Sequence, residues 1–294
     1  MGASEAVKKL SISILCASVY GAALAEKSGY LHGKTVYITG TVCEEYCDGE
    51  SLRMLYKEFS LRPDYCIICE PSDNVITLGH KGKAQIRVKT RGISAHGSAP
   101  EKGKNAVYEM GEIIGRVEKL NRALSEKEGE HGTIVLSDIS CVSASLNAVP
   151  SECGIYLDRR LAVGESLEQV KVEMDCLIEG KDAFWEVGTL YHTSWKGKKL
   201  VYEPMHDPWS IRENHELTRA MKRAFEKVHG VVPPKYDFWD FGTNAVTPVS
   251  MGIPTIGFGP GEYKLAHMLN ERCSIEKMKE SCRVYAQLID ELGQ

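Results

Sequence analysis

The sequence predicts an α/β fold, in which a mostly parallel sheet is flanked by helices and a smaller α+β domain is inserted. Helical and strand-like segments alternate over residues 1–79, as they do in proteins with parallel sheets. After that, apolar and polar residues alternate, which is typical of antiparallel strands with one solvated face. The first pattern returns near residue 207. We therefore expect an α/β domain formed by residues 1–79 and 207–294, and an inserted domain formed by residues 80–206.

The first part of the chain contains two predicted helix–strand pairs. Residues 10–26 have the apolar periodicity of a helix, and residues 34–40 are predicted to form a strand. A second helix is expected over residues 50–59 and a second strand over residues 65–69. This order predicts neighbouring parallel strands covered by helices.

The inserted domain is predicted to contain two strand–helix–strand units on one antiparallel sheet. Apolar side chains recur at helical spacing over residues 105–124. The other elements expected there are strands 84–90, 133–140, 154–161 and 185–192 and helix 167–178. Beyond the inserted domain we expect helix 214–229, strand 254–258 and a closing amphipathic helix 275–292.

Charge and cysteine content narrow the classes of function. The formal net charge of −4 argues against a protein that binds nucleic acid through a basic surface. The ten cysteines are scattered singly through apolar stretches, which favours reduced, buried thiols in a cytoplasmic protein over a disulfide framework. Cys66 and Cys69 have C-x-x-C spacing but lie in a strand-like run without a second pair. We therefore expect neither a zinc nor a redox role for them.

The apolar run near the N-terminus has two interpretations. Lys8 and Lys9 precede it, and Ala23-Leu24-Ala25 resembles a signal-peptidase site. Alternatively, the run is an amphipathic helix packed in the core, which its periodicity and the unpaired cysteines favour. We therefore expect a cytoplasmic protein. No run in the sequence is long and apolar enough to span a bilayer.

Acidic residues and a histidine follow the predicted strands of the α/β domain. Glu44 and Glu45 come after the first strand, Glu70 follows the second, and His267 comes after a Gly-Pro-Gly turn. Open α/β sheets bind ligands at the carboxyl ends of their strands. Because adjacent residues of an extended segment point in different directions, one glutamate of the pair could bind a metal while the other faces its water. Each acid alone is also explained as a solvated loop residue, but the constellation indicates a two-metal hydrolase.

Two residues of the inserted domain are further candidates. His96 lies among small residues in a segment followed by Pro100, so a compact loop could present its imidazole. The alternative is an ordinary surface histidine. Arg160 shares a strand face with Asp158 and could bind a substrate carboxylate in bidentate fashion. A salt bridge between strands explains Arg160 equally well.

Several motifs resemble those of the metallopeptidase and amidohydrolase family that includes acetylornithine deacetylase, succinyl-diaminopimelate desuccinylase, aminoacylase and carboxypeptidase G. The branch most similar is that of the selenium-metabolism-linked hydrolases. The matching segments are residues 39–45 (TGTVCEE), 91–100 (RGISAHGSAP), 103–106 (GKNA), 158–160 (DRR) and 252–261 (GIPTIGFGPG), followed by His267, Asn270 and Glu271. The resemblance implies a zinc-exopeptidase-like α/β domain with a ferredoxin-like dimerisation domain, and a homodimer formed through residues 80–206.

The resemblance also implies a role for each candidate residue. Glu44 would be the general base, and Glu45 and His267 would bind one zinc ion, or cobalt or manganese, with Glu70 at the other. His96 would stabilise the tetrahedral oxyanion across the dimer. Arg160, Thr243 and Asn244 would hold the substrate. Such a site would cleave amide bonds of acylated amino acids or small peptides, because two metals lower the pKa of water and polarise the carbonyl.

Two further metal-binding motifs of that family are absent, as expected for an N-terminally truncated member. No His-x-Asp motif precedes Glu44, and the position expected for the bridging aspartate falls near Leu10. Glu5 is an alternative ligand but lies several residues out of register. We therefore expect an impaired or inactive hydrolase, since catalytic zinc normally has three protein ligands. The alternative is a non-catalytic, dimerising or ligand-binding remnant of the family.

Overall fold

A computed structural model describes the backbone of residues 3–293 and the side chains of residues 11–293. The chain forms two compact units, one of Met1–His80 and Trp209–Gln294 and one of Lys81–Pro208. Both contain helices and sheets, and the α/β class with an inserted α+β domain is confirmed. Within the described residues, no helix is both long enough and apolar enough to cross a membrane.

The elements are numbered in chain order. The helices are α1 (Ala3–Lys27), α2 (Glu50–Glu58), α3 (Ala106–Ser125), α4 (Leu167–Ile178), α5 (Glu216–His229), α6 (Val246–Ser250) and α7 (Ile275–Glu291). The strands are β1 (Cys66–Ile68), β2 (Ile76–His80), β3 (Gly82–Arg91), β4 (Thr133–Val142), β5 (Glu152–Leu161), β6 (Ala183–Val187), β7 (Leu190–Thr193), β8 (Lys199–Tyr202), β9 (Met205–His206), β10 (Trp209–Ser210), β11 (Tyr236–Trp239) and β12 (Thr255–Gly257).

The sheet of the first unit is mixed. Its strands follow the order β1-β12-β2-β10, and β11 also pairs with β2. The β1–β12 and β11–β2 pairs are parallel, whereas β2 runs antiparallel to β12 and β10. All of β2 is buried, so its sequence lacks the polar alternation of a half-solvated strand, and sequence analysis missed it. Gly79 is required there because a Cβ atom would clash with the Trp209 backbone carbonyl oxygen and lie 3.0 Å from the Phe238 ring.

Helix α1 packs against helix α7. It buries Ile14, Ala17 and Ala25 on one side, which confirms the amphipathic helix predicted over residues 10–26. At Gly21 a Cβ atom would lie 2.9 Å from the Cβ of Tyr285, so the two helices approach closely at this point. Helix α7 is fixed in turn by the Tyr285 hydroxyl, which donates a 2.6 Å hydrogen bond to the Phe258 carbonyl.

The strand predicted over residues 34–40 is wrong. These residues form neither helix nor strand, although the segment is rich in β-branched and aromatic side chains. Val36, Tyr37 and Ile38 are exposed, and no strand within the described residues pairs with this segment. Strand propensity mainly reflects packing against neighbouring strands, so without a neighbour the segment stays unpaired.

The main sheet of the second unit is antiparallel. Its strands follow the order β4-β5-β3-β6, and β9 also pairs with β3. Helices α3 and α4 pack on it around a core that includes Met110, Leu157 and Met174. Helix α4 begins where predicted, because Ser166 and Gln169 form a reciprocal capping box. The predicted strand 185–192 is divided into β6 and β7 at Gly188, where a Cβ atom would lie 2.6 Å from the hydroxyl of Tyr156.

Candidate functional site

The adjacent glutamates lie in a tight turn between the unpaired segment of residues 34–40 and α2. Cys43 adopts a left-handed conformation with φ of 60°, and the Cys47 amide donates a 2.9 Å hydrogen bond to the Cys43 carbonyl. The turn leaves Glu44 half-buried and Glu45 exposed. The two carboxylates therefore occupy different environments, although they are neighbours in sequence.

This turn is fastened at both ends by the loop that precedes α6. The side-chain nitrogen of Asn244 donates a 2.8 Å hydrogen bond to the Thr41 hydroxyl, and its side-chain oxygen accepts one of 2.8 Å from the Gly49 backbone amide. The Thr247 hydroxyl donates a 2.6 Å bond to the Gly49 carbonyl. Gly49 has φ of 73°, a conformation that favours glycine. Asn244 therefore positions the acidic turn, a task that nothing in the sequence indicates.

Thr243, the other residue of this loop predicted to hold substrate, is completely buried. Its hydroxyl oxygen accepts a 3.1 Å hydrogen bond from the Ala245 amide. It thereby shapes the loop just before α6. The structure thus shows what Thr243 and Asn244 bind within the chain, and their contact with a substrate stays a prediction.

His267 lies near the acidic turn. Its Nε2 atom is 3.7 Å from Glu45 Oε2, and the two side chains are 57% and 45% exposed, respectively. His267 has a left-handed backbone with φ of 62°. The buried carboxylate of Glu271 accepts a 3.1 Å hydrogen bond from the His267 amide. Glu271 therefore fixes the histidine loop, a role that its place in the sequence motif did not reveal.

Glu70 follows β1, and its carboxylate interacts electrostatically with Glu45. Burial, with the Glu45 charge as the second cause, raises the pKa of Glu70 to about 7. The loops after β1 and β12 lie together because these strands are parallel neighbours. They are joined by the Ser72 hydroxyl, which accepts a 3.0 Å hydrogen bond from the Gly259 amide. Glu70 thus follows a strand, as the argument from sequence requires, whereas its acidic neighbour Glu45 follows a segment that is not a strand.

The donor atoms of this cluster suit a metal in type but not in arrangement. Carboxylate oxygen and imidazole nitrogen are ordinary zinc ligands. Among the side chains of residues 11–293, however, no group of three or more histidine, cysteine, aspartate or glutamate residues could hold a metal ion. The Glu5 side chain lies outside the described residues. The described side chains therefore do not by themselves fit a catalytic zinc site.

His96 lies in an exposed loop of the second unit. Its Nδ1 atom accepts a 3.1 Å hydrogen bond from the Ser98 amide and is 2.7 Å from the Ser98 hydroxyl. Because a backbone amide can only donate, the neutral ring carries its proton on Nε2. The Nε2 atom of the neutral ring is therefore a hydrogen-bond donor, as stabilisation of an oxyanion requires.

Arg160 forms a fork with its own strand neighbour. Its Nε atom lies 2.7 Å from Asp158 Oδ1, and its Nη2 atom lies 2.9 Å from Asp158 Oδ2. Asp158 also accepts a 3.2 Å hydrogen bond from Gln85. The salt bridge therefore lies within β5 and does not join two strands, as the alternative interpretation had it. A substrate carboxylate would have to compete with Asp158.

Comparison with known proteins places the chain in a family. Residues 78–185 match the family model of the peptidase dimerisation domain. The chain is 33% identical over 279 residues to the uncharacterized protein YgeY of Escherichia coli K12. The match covers 93% of this chain and 69% of the relative. It is 24% identical to a putative LysW-lysine/LysW-ornithine hydrolase of Pyrobaculum aerophilum, over 87% of this chain and 67% of the relative.

Solved structures show the same fold. The aminopeptidase PepT of Bacillus cereus matches with a TM-score of 0.63 and 19% identity over 86% of this chain. The chain spans only 63% of that aminopeptidase. An M20 family metallo-carboxypeptidase from Sulfolobus solfataricus matches with a TM-score of 0.53 and 16% identity, over 82% of this chain and 66% of that one. The family resemblance inferred from the motifs is confirmed, and this chain belongs to the M20 family of metallopeptidases and amidohydrolases.

Proposed function

We propose that this chain is an M20-type amide hydrolase whose metal site is incomplete. Its substrate class would be acylated amino acids or small peptides, and the chain alone would hydrolyse them weakly or not at all. The observation that carries this proposal is the cluster of Glu45, Glu70 and His267, which brings suitable ligands together without a set of three in metal-binding position among the described side chains. Catalytic zinc sites normally use three protein ligands and a water molecule.

Within this proposal, Glu44 is the general base of the hydrolysis. It lies half-buried in the turn next to Glu45, where a carboxylate can accept a proton from an attacking water. His96 is the donor to the tetrahedral oxyanion, since its free Nε2 carries a proton when the ring is neutral. Arg160 would select a substrate carboxylate after release from Asp158. Asn244 positions the acidic turn.

Metal binding tests the proposal directly. The purified chain is incubated with zinc, desalted and analysed for metal, alongside the variants Glu45→Gln and His267→Gln. We expect far less than one equivalent of zinc per chain, and no zinc-dependent cleavage of N-acetyl amino acids or dipeptides. A full equivalent of zinc that both variants lose, while the control His131→Gln, at a half-buried histidine of the second unit, retains it, would show that the site is complete.

Activity must be separated from metal content. If zinc-dependent hydrolysis is found, Glu44→Gln should abolish turnover while zinc content stays unchanged, because a general base does not bind the metal. Turnover that survives Glu44→Gln would remove Glu44 from the mechanism. Turnover that survives His267→Gln would assign the measured activity to another site or to a contaminant.

The second candidate function is that of a non-catalytic, dimerising or ligand-binding protein. It is favoured by the second unit, which has a continuous core and matches the peptidase dimerisation domain. We propose a homodimer formed through residues 80–206. Light scattering at micromolar concentration should give twice the mass of 32.6 kDa, and a monomer would contradict the proposal. Ligand-dependent thermal stabilisation in the presence of a chelator would support binding without metal.

A further inference from the structure

Two cysteines of the second unit face each other across neighbouring strands. Cys141 on β4 and Cys153 on β5 are direct partners in the antiparallel register, and both thiols are free. Opposite residues of such a pair point to the same face. Their Cα atoms are typically about 4.5 or 5.5 Å apart, within the separations that disulfides span. We propose that Cys141 and Cys153 form a reversible disulfide across β4 and β5.

The two thiols differ in a way that sets the order of reaction. Cys141 is exposed, whereas Cys153 is buried in the core of the unit. Burial raises the pKa of Cys153, and the neighbouring Cys141 thiol raises it further, which shows that the two groups interact. The thiolate is the nucleophile in thiol–disulfide exchange. Cys141 is therefore the attacking thiol, and Cys153 is the resolving thiol.

The oxidant that this chemistry requires is a small disulfide such as oxidised glutathione. The Cys141 thiolate attacks one sulfur of the small disulfide, forms a mixed disulfide and releases one small thiol. The Cys153 thiolate then attacks the Cys141 sulfur and releases the second small thiol. The protein loses two protons and two electrons, which the small disulfide takes up. A reducing dithiol reverses both steps.

The disulfide would close the base of a loop that supports His96. Residues 143–151 connect β4 to β5 and contact the His96 loop through backbone hydrogen bonds. The Gly97 amide donates a 2.6 Å bond to the Asn147 carbonyl, and the Val149 amide donates a 2.8 Å bond to the Ala95 carbonyl. A crosslink at the base restricts the loop above it, so oxidation should stiffen the support of His96. Disulfide formation itself does not depend on the role proposed for His96.

Helix α4 offers a matched control. Cys176 is exposed like Cys141, but it lies on a helix and has no cysteine opposite it in a strand. It can accept a mixed disulfide, but it has no register partner to resolve it. The variant Cys176→Ser should therefore leave formation of the proposed crosslink unchanged.

Thiol counting and peptide mapping test the proposal on the full chain. After treatment with oxidised glutathione and removal of the reagent, the wild type and Cys176→Ser should contain a peptide pair crosslinked through Cys141 and Cys153. Formation of this pair accounts for two of the ten thiols and should be reversed by dithiothreitol. Cys141→Ser and Cys153→Ser should lack the crosslink. In Cys141→Ser, the buried Cys153 should also stay free of glutathione.

Three outcomes would overturn the proposal. They are a Cys141 that carries only glutathione, a Cys141 linked only to a second copy of the chain, and a Cys153 linked to a cysteine other than Cys141. Because Cys141 is exposed, its serine variant should fold even if Cys153→Ser does not. Hydrogen exchange gives an independent measurement: the Gly97 and Val149 amides should exchange more slowly in oxidised wild type than in reduced wild type, and equally in the two states of Cys141→Ser.

Discussion

Removal of the Asn244 side chain should loosen the acidic turn without unfolding the protein. The change Asn244→Ala deletes both side-chain hydrogen bonds, one to the Thr41 hydroxyl and one from the Gly49 amide, each 2.8 Å long. These bonds join positions about 200 residues apart in sequence. They connect the ends of the segment that contains Glu44 and Glu45 to the loop before α6. No change in the helices is expected.

The magnitude follows from the number of bonds lost. A hydrogen bond within a protein contributes about 0.5–1.5 kcal/mol net, so loss of two should lower the free energy of opening the turn by about 1–3 kcal/mol. If the turn opens locally, this corresponds to roughly 5- to 150-fold faster exchange of its protected amides. The Cys47 amide, bonded to the Cys43 carbonyl, is the reporter within the turn.

The assay is amide hydrogen exchange resolved by residue, with the variants Thr41→Val and Asn214→Ala as comparisons. Thr41→Val removes only one of the two bonds and should show a smaller effect at the Cys47 amide. Asn214 is exposed, so its substitution should leave that amide unchanged. If exchange at Cys47 in Asn244→Ala equals that of wild type, Asn244 does not fasten the turn and the reasoning fails.

Further predictions concern stability, measured by urea denaturation. Arg159→Met should lower the free energy of unfolding by about 3–5 kcal/mol, because Arg159 is fully buried and forms 3.0 and 3.1 Å hydrogen bonds with Glu165. The control Arg122→Met removes an exposed ion pair and should change that free energy by no more than about 0.5 kcal/mol. Burial alone would raise the pKa of Glu165, but its hydrogen bonds lower that pKa below the usual value. The contribution of Glu165 to the free energy of unfolding should therefore be complete above its unfolded-state pKa and be lost as pH falls through its folded-state pKa. The decrease in stability over this pH range should be steeper in wild type than in Arg159→Met. Gly49→Ala should cost at least about 1 kcal/mol, because it forces a left-handed alanine whose Cβ atom would lie 2.6 Å from the Thr247 hydroxyl; an unchanged urea midpoint would contradict the backbone argument.

Amphipathic elements with local capping were predicted well from the sequence. Helix α4 begins at Leu167 and ends at Ile178 as expected, because its apolar spacing and capping box are both local signals. Strands depend on partners that local sequence does not specify. Residues 34–40 have strand propensity but no neighbouring strand, whereas β2 is a central strand whose fully buried residues lack a diagnostic alternation.

The candidate site shows the same division. Glu70 and His267 both follow strands of one sheet, β1 and β12, as the topological rule requires. The approach of Glu45 to His267 does not follow from that rule, because the segment before Glu45 is not a strand. The anchoring of the turn by Asn244 and of His267 by Glu271 does not follow from such a rule. These contacts depend on side-chain geometry between loops, and the residues concerned are common in ordinary turns.

The structure shows why this fold would not depend on a complete set of metal ligands. Glu45 and His267 are largely exposed, so they contribute little to the core. Their loops are fixed by groups that need no metal, namely the Asn244 amide and the Glu271 carboxylate. The apolar core beneath them, which includes Ile256 and Phe258, is fully buried. Because folding depends on the core and the loop anchors, while catalysis depends on exposed ligands, metal binding and activity can be lost without loss of the M20 fold.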